Sequence, residues 1–233
     1  MPRPAKFAVP VAAACALTAL TALPASAATT TVRKDTATGA PYSGNWRITT
    51  VGPLNFSTVI LGQQVTAVCD DAQLTGTVTS TGAGELTGAS VGECTTSGGI
   101  SAGGITFGEL PEIQGQVTYA PVPGGRDGTL DFAEGITIKL EGVFLGVKRT
   151  CYYGLRGRDG GGLAFDIFNR DNPNRPLPGL DDAQGTMVDA TAYKLPGSAL
   201  ICPNTGTGSG RGIARGETVP GSGVFDQKLY VTS

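Results

Sequence analysis

Gly99-Ile100-Ser101-Ala102-Gly103 spells G-x-S-x-G, the pattern with which serine esterases and lipases expose a nucleophile on a sharp strand-to-helix turn. That chemistry needs a base to take the hydroxyl proton, and the chain contains no histidine. Ser-His-Asp and Cys-His catalysis are therefore excluded, together with the histidine-based zinc motifs. Lysine could replace imidazole, but no S-x-x-K spacing occurs. The flanks of Ser101 are further glycines, so the one candidate catalytic residue is expected on a loop, and no catalytic group is assigned.

Paired carboxylates would serve glycoside hydrolysis. Glu85, Glu93, Glu109, Glu112, Asp131, Glu134 and Glu141 are available, but no spacing sets two of them across a cleft. Asp159, the Asp171-Asn-Pro-Asn174 run and Asp181-Asp182 carry oxygen ligands on loops without the Asp/Asn-Gly-Glu periodicity of a calcium loop. No metal and no cofactor is expected. Positive charge gathers between residues 148 and 175, at Lys148, Arg149, Arg156, Arg158, Arg170 and Arg175, with Tyr152 and Tyr153 among them. Arg and Tyr are favoured in recognition surfaces. Asp159, Asp166 and Asp171 intervene, so a balanced, solvated face is the plainer alternative. Arg149, Tyr152, Tyr153, Arg156 and Arg158 are the binding candidates, with a protein or an anionic cell-envelope polymer as partner. The row Thr75, Thr77, Thr79 and Thr81 reads as the wet face of one strand.

These residues need a scaffold, and the N-terminus says where it folds. Arg3 and Lys6 precede an apolar, Ala-rich stretch that ends at Pro24-Ala-Ser-Ala27, which predicts a secretory leader over residues 1–27 cut after Ala27. The chain has 17 Lys+Arg and 19 Asp+Glu; without Arg3 and Lys6 the balance is 15 against 19, or −4. Mild acidity argues against a nucleic-acid partner, and no polybasic segment predicts a membrane surface once the leader is gone. Four cysteines then remain, Cys69, Cys94, Cys151 and Cys202. An even count in an exported chain predicts two disulfides, and sequential pairing, Cys69–Cys94 and Cys151–Cys202, closes the shorter loops.

Period-two alternation recurs through the rest of the chain. Leu74, Gly76 and Val78 alternate with Thr75, Thr77 and Thr79, and a turn at Thr81–Gly84 makes a hairpin framed by Cys69 and Cys94. Ile136, Ile138 and Leu140 share one face; after Gly142 the apolar set moves to Val143, Leu145 and Val147, the phase slip of a β-bulge. Further strands are expected around Trp46, over 54–61, 64–69, 105–107, 114–119, 151–155, 163–168, 184–195 and 224–231. Residues 28–41 read as a flexible lead-in or an edge strand, and 203–212 as a Gly/Thr/Ser loop. Pro121–Gly128 is the strongest punctuation, a long turn within one domain over 42–233 or a boundary between pseudo-halves 42–120 and 121–233. The pattern predicts an all-β fold, an antiparallel β-sandwich or barrel with two disulfides.

The leader ending Ala-Ser-Ala27, the Cys69…Leu74-Thr-Gly-Thr-Val78…Cys94 unit and the Gly/Thr-rich remainder resemble small secreted β-proteins of high-GC actinobacteria. The resemblance implies an extracellular protein and carries no activity onto particular residues. Two classes stay open: a non-catalytic exported domain acting by surface recognition, such as a cell-envelope, adhesion or inhibitor-like module, or a small extracellular hydrolase acting through Ser101 or through carboxylates.

Overall fold

The computed structural model describes residues 29–97, 101–108, 110, 113–144, 146–157 and 160–233. The expected leader and its cleavage site lie outside them. The described chain is strand throughout, with no α-helix among the described residues. Alternating apolar and polar side chains make each strand two-faced, and the chain buries the apolar faces by closing sheets into barrels.

The strands are laid out as four long hairpins whose arms each bend once. In the first, β2 (Gly44–Thr50) continues as β3 (Leu54–Ile60), turns at Leu61-Gly62 and returns as β4 (Gln63–Cys69) and β5 (Ala72–Val78). The second runs β6 (Ala83–Val91), β7 (Cys94–Thr96), β8 (Ser101–Phe107), β9 (Ile113–Tyr119). The third runs β10 (Gly128–Phe132), β11 (Thr137–Phe144), β12 (Val147–Arg156), β13 (Ala164–Phe168). The fourth runs β14 (Ala183–Val188), β15 (Ala190–Lys194), β16 (Thr205–Ser209), β17 (Arg211–Gly216). β1 (Thr31–Lys34) pairs with β18 (Gln227–Thr232), which joins the edge of β17, so the start of the chain takes the edge-strand form.

The outer segments of the hairpins form one ring in the order β2-β5-β6-β9-β10-β13-β14-β17, closed by pairing of β17 with β2. The inner segments follow the same circular order in a second sheet, β7-β4-β3-β16-β15-β12-β11-β8. There β7 and β8 lie side by side, and no ladder joins them among the described residues. The molecule is thus an up-and-down barrel in two tiers: a closed base, and a tip tier with one open seam. The sandwich alternative is replaced by this barrel, because consecutive strands pair around a circle rather than crossing between two faces.

The base is filled by large side chains. Trp46 packs at 6.3 Å between ring centroids on Phe132, which meets Phe165 edge-on at 6.4 Å, above Leu86, Ile48 and Val78. Trp46 reaches this position because Gly76 opposite it has no side chain; a Cβ there would lie 2.5 Å from Trp46 Cζ2. The indole N–H donates to the Thr77 carbonyl at 2.9 Å. Gln184, fully buried, exchanges both hydrogen bonds with the Leu177 backbone and so fastens the Pro-rich 169–182 loop beneath the ring.

Several local readings meet the structure here. Both disulfides form with the sequential pairing, Cys69–Cys94 and Cys151–Cys202. The phase slip expected within β11 does not occur, since β11 pairs with β12 in unbroken register from Thr137 to Phe144; the irregularity between Glu141 and Gly142 is against β8, whose strand carries the extra residue, with Gly104 paired to Glu141 and Ala102 to Gly142. Pro121–Gly128 is the turn joining β9 to β10, which pair in the same ring. The 203–212 segment is not a loop but contains all of β16 and the start of β17. Its side chains are too small to signal a strand, and its pairing is supplied by β15, β3, β14 and β2. Ser101 likewise begins a strand, β8, instead of sitting on a loop.

Candidate functional site

The tip tier is built from the same alternation as the base but with smaller inward residues. Phe56, Ile60, Val65, Ala67, Ile105, Ile138, Leu140, Cys151, Tyr153 and Ala192 face a lumen that holds a cavity of about 110 Å³. A second cavity of about 80 Å³ continues toward the base along Leu54, Leu74, Leu155, Phe165 and Met187, sharing Phe56, Ile105, Ile138 and Ala192 with the first. Both linings are overwhelmingly apolar. Ala67, Ala192 and Gly206 are the positions where a larger side chain would fill the space.

The far end is covered by the loop 195–204. Its backbone is laced to β12 through Leu195 N–H to Tyr152 O at 2.8 Å and Ala199 N–H to Thr150 O at 3.1 Å, and the Cys151–Cys202 bond fixes it. Lys194 Nζ donates to the carbonyls of Leu200 and Cys202, and Tyr153 Oη donates to Pro203 O at 3.2 Å. Burial pushes the Tyr153 phenol up to about 12, so it stays a neutral hydrogen-bond donor at the lumen wall. The Cys69–Cys94 bond ties β4 to β7 beside the open seam.

The predicted Arg/Tyr cluster lies on this tier, and strand geometry divides it. Tyr153 points into the lumen and is buried, whereas Tyr152 and Arg156 point outward. Arg156 stacks 4.2 Å over the ring of Tyr193, which lies across Gly154 on the neighbouring strand. Arg149 stands exposed near the tip end of β12, and Arg158 lies outside the described residues. Beside Tyr152 on the outer face, Lys139 and Glu141 form an ion pair at 2.6 Å, whose hydrogen bond raises the lysine and lowers the carboxyl.

Of the other chemistry considered, Ser101 pairs with Val143 at the start of β8. The chain runs on from it as an extended strand, not as the helix a nucleophile elbow requires. Glu109 and Glu112 lie outside the described residues. Glu85 accepts a hydrogen bond from Gln114, while Asp181 is held by Arg170 and Lys228 and Asp182 by Arg215. Three carboxylates with clear shifts, Glu141, Asp181 and Glu217, are all pulled down toward the ionised form, the opposite of what a general acid needs.

The lumen was legible only in part. Each lining strand shows its apolar face in the sequence, but the void depends on how alanines and glycines from distant strands meet. No family model, no curated protein and no solved structure matches the chain.

Proposed function

We propose that this chain is an exported, non-catalytic binding domain that holds a small apolar guest, a short unbranched hydrocarbon or the end of one, in the lumen of its tip tier. The observation that carries the reading is the cavity of about 110 Å³ lined by apolar side chains and left open by Ala67, Ala192 and Gly206. An empty void of that size costs about 2.5 kcal/mol at roughly 24 cal/mol per Å³, and three small residues maintain it. An apolar void of about 150 Å³ stays dry and takes up benzene, so the scale suits a thin hydrocarbon. The leader and the two disulfides support an extracellular setting.

NMR titration of the chain from Ala28 with short apolar probes, n-pentane and benzene, in lipid-free buffer tests this. Saturable uptake is expected, lost in Ala192→Phe, which fills the lumen, and retained in Tyr152→Ala. Uptake that Ala192→Phe leaves untouched, or none at all, would refute the lumen reading.

A second reading, recognition of a protein or cell-envelope polymer by the outer face, is favoured by the Arg156–Tyr193 stack with Tyr152 nearby. It predicts the opposite pattern, partner capture lost in Arg156→Ala and indifferent to Ala192→Phe. Hydrolysis through Ser101 ranks below both, and labelling of Ser101 by a fluorophosphonate would restore it.

A further inference from the structure

The tips of the hairpins form one end of the barrel, and three of them carry exposed apolar side chains. Leu61, at the turn of the first hairpin, is 79 % exposed, and Val59 beside it 60 %. Leu200, in the loop of the fourth, is 99 % exposed; Val147, at the turn of the third, 47 %. In the tip sheet these hairpins are neighbours in the order first, fourth, third.

Leu61 is costly in two ways. It is a large apolar residue in water, and it sits at φ +51°, followed by Gly62 at +79°. Two successive positive φ values are those of a type I′ hairpin turn, whose first central position favours Asn or Asp. A leucine there is strained, and strain of this kind marks functional positions.

Charge separates this end from the other. The strand segments of the tip tier carry five cations, Lys139, Lys148, Arg149, Arg156 and Lys194, and one acid, Glu141. Lys148 and Arg149 directly follow the exposed Val147. The base end also exposes valines, Val122, Val219 and Val224, but there the charges balance: its loops hold Arg126, Arg170 and Arg175 beside Asp127, Asp171, Asp181, Asp182, Glu217 and Asp226, and Asp181 and Asp182 are paired with Arg170, Lys228 and Arg215.

From the apolar tips, the strained leucine and the adjoining cations we infer that the tip end docks on an anionic lipid bilayer, with Leu61 and Leu200 inserted at the headgroup boundary and Lys148 and Arg149 against the headgroups. Apolar area with neighbouring cations is what interfacial attachment to anionic lipid requires. The inference deepens the lumen reading by giving the source of an acyl chain, yet it rests on different residues and can fail separately.

The test is co-sedimentation of the chain from Ala28 with vesicles of phosphatidylcholine alone and of equal parts phosphatidylcholine and phosphatidylglycerol. Binding to the mixed vesicles is expected, weakened by salt and by Lys148→Glu with Arg149→Glu. Leu61→Asn with Leu200→Ser should weaken it about tenfold, equivalent to about 1.4 kcal/mol. Because Asn suits the turn, Leu61→Asn should raise the melting temperature, which separates lost docking from lost folding. Uptake of the short apolar probes in lipid-free buffer should be unchanged in the leucine variants, so failure of docking and failure of the lumen reading are read from different assays. Absence of binding to mixed vesicles, equal binding to both vesicle types, or binding indifferent to the leucine substitutions would overturn the inference.

Discussion

The base and the tip tier share one set of strands and one circular order, yet they solve packing in opposite ways. The base closes its ring and fills it with Trp46, Phe132, Phe165 and Leu86. The tip tier has no ladder between β7 and β8 among the described residues, lines its interior with Ala67, Ala192 and Gly206, and carries two disulfides. Stability is concentrated where the side chains are large, and capacity where they are small.

Substitutions can break this contrast. Trp46→Ala should cost the most, about 3–5 kcal/mol by thermal or urea unfolding, because it empties the base and removes the indole hydrogen bond to the Thr77 carbonyl. A cost below about 1 kcal/mol would mean that the base does not carry the fold. Replacing Cys151 and Cys202 by serine should cost about 2–4 kcal/mol, and amide exchange should rise first in residues 195–204 and β12, not in the base.

Smaller effects should differ in sign between the tiers. Gly76→Ala drives a methyl into Trp46 and should destabilise by about 1–3 kcal/mol. Ala67→Val fills the tip cavity and should stabilise by about 0.5–2 kcal/mol, at the expense of guest uptake. Equal signs at the two positions would erase the distinction.

The mildest test is one of pH. Glu217 receives N–H donors from Gly221 and Gly223 at 2.8 and 2.7 Å, then the Asn45 amide, which hold its carboxyl below the ordinary 4.5. A lowered native value gives stability that is present above 4.5 and lost as pH falls through the native value. Melting temperature followed from neutral to acid pH should therefore drop less steeply in Glu217→Gln than in the parent. Parallel curves would show that this cradle contributes nothing to acid sensitivity.

Much of the fold could be read from residue types alone. The alternation around Leu74–Val78 and Leu163–Ile167 and the cysteine pairing all act within a strand or its immediate partner, whereas the irregularity at Gly142 comes from an extra residue in β8, which β11 alone does not reveal. What escaped is what several strands make jointly. The Thr205–Ser209 segment has no large side chain, and its strand character comes from β15 and β3 on either side. Gln184–Leu195 reads as one run, but Asp189 at φ +46° bends it from the base into the tip tier. The Arg/Tyr cluster, contiguous in sequence, divides between lumen and exterior because neighbouring residues on a strand face opposite ways. Total charge, near neutral, concealed five cations gathered on one tier.

The described strands carry apolar faces inward and polar faces outward, the reverse of a membrane-spanning barrel, and no described helix is long and apolar enough to cross a bilayer.

Because all four hairpins pass from one compartment to the other and back, no single scission of the polypeptide can release either as a fragment. A protease that nicks any exposed tip would leave its ends gripped by the ring below. Modularity in this molecule therefore runs along the barrel axis rather than along the chain, and its described tips can be rewritten one by one without asking the foundation to change.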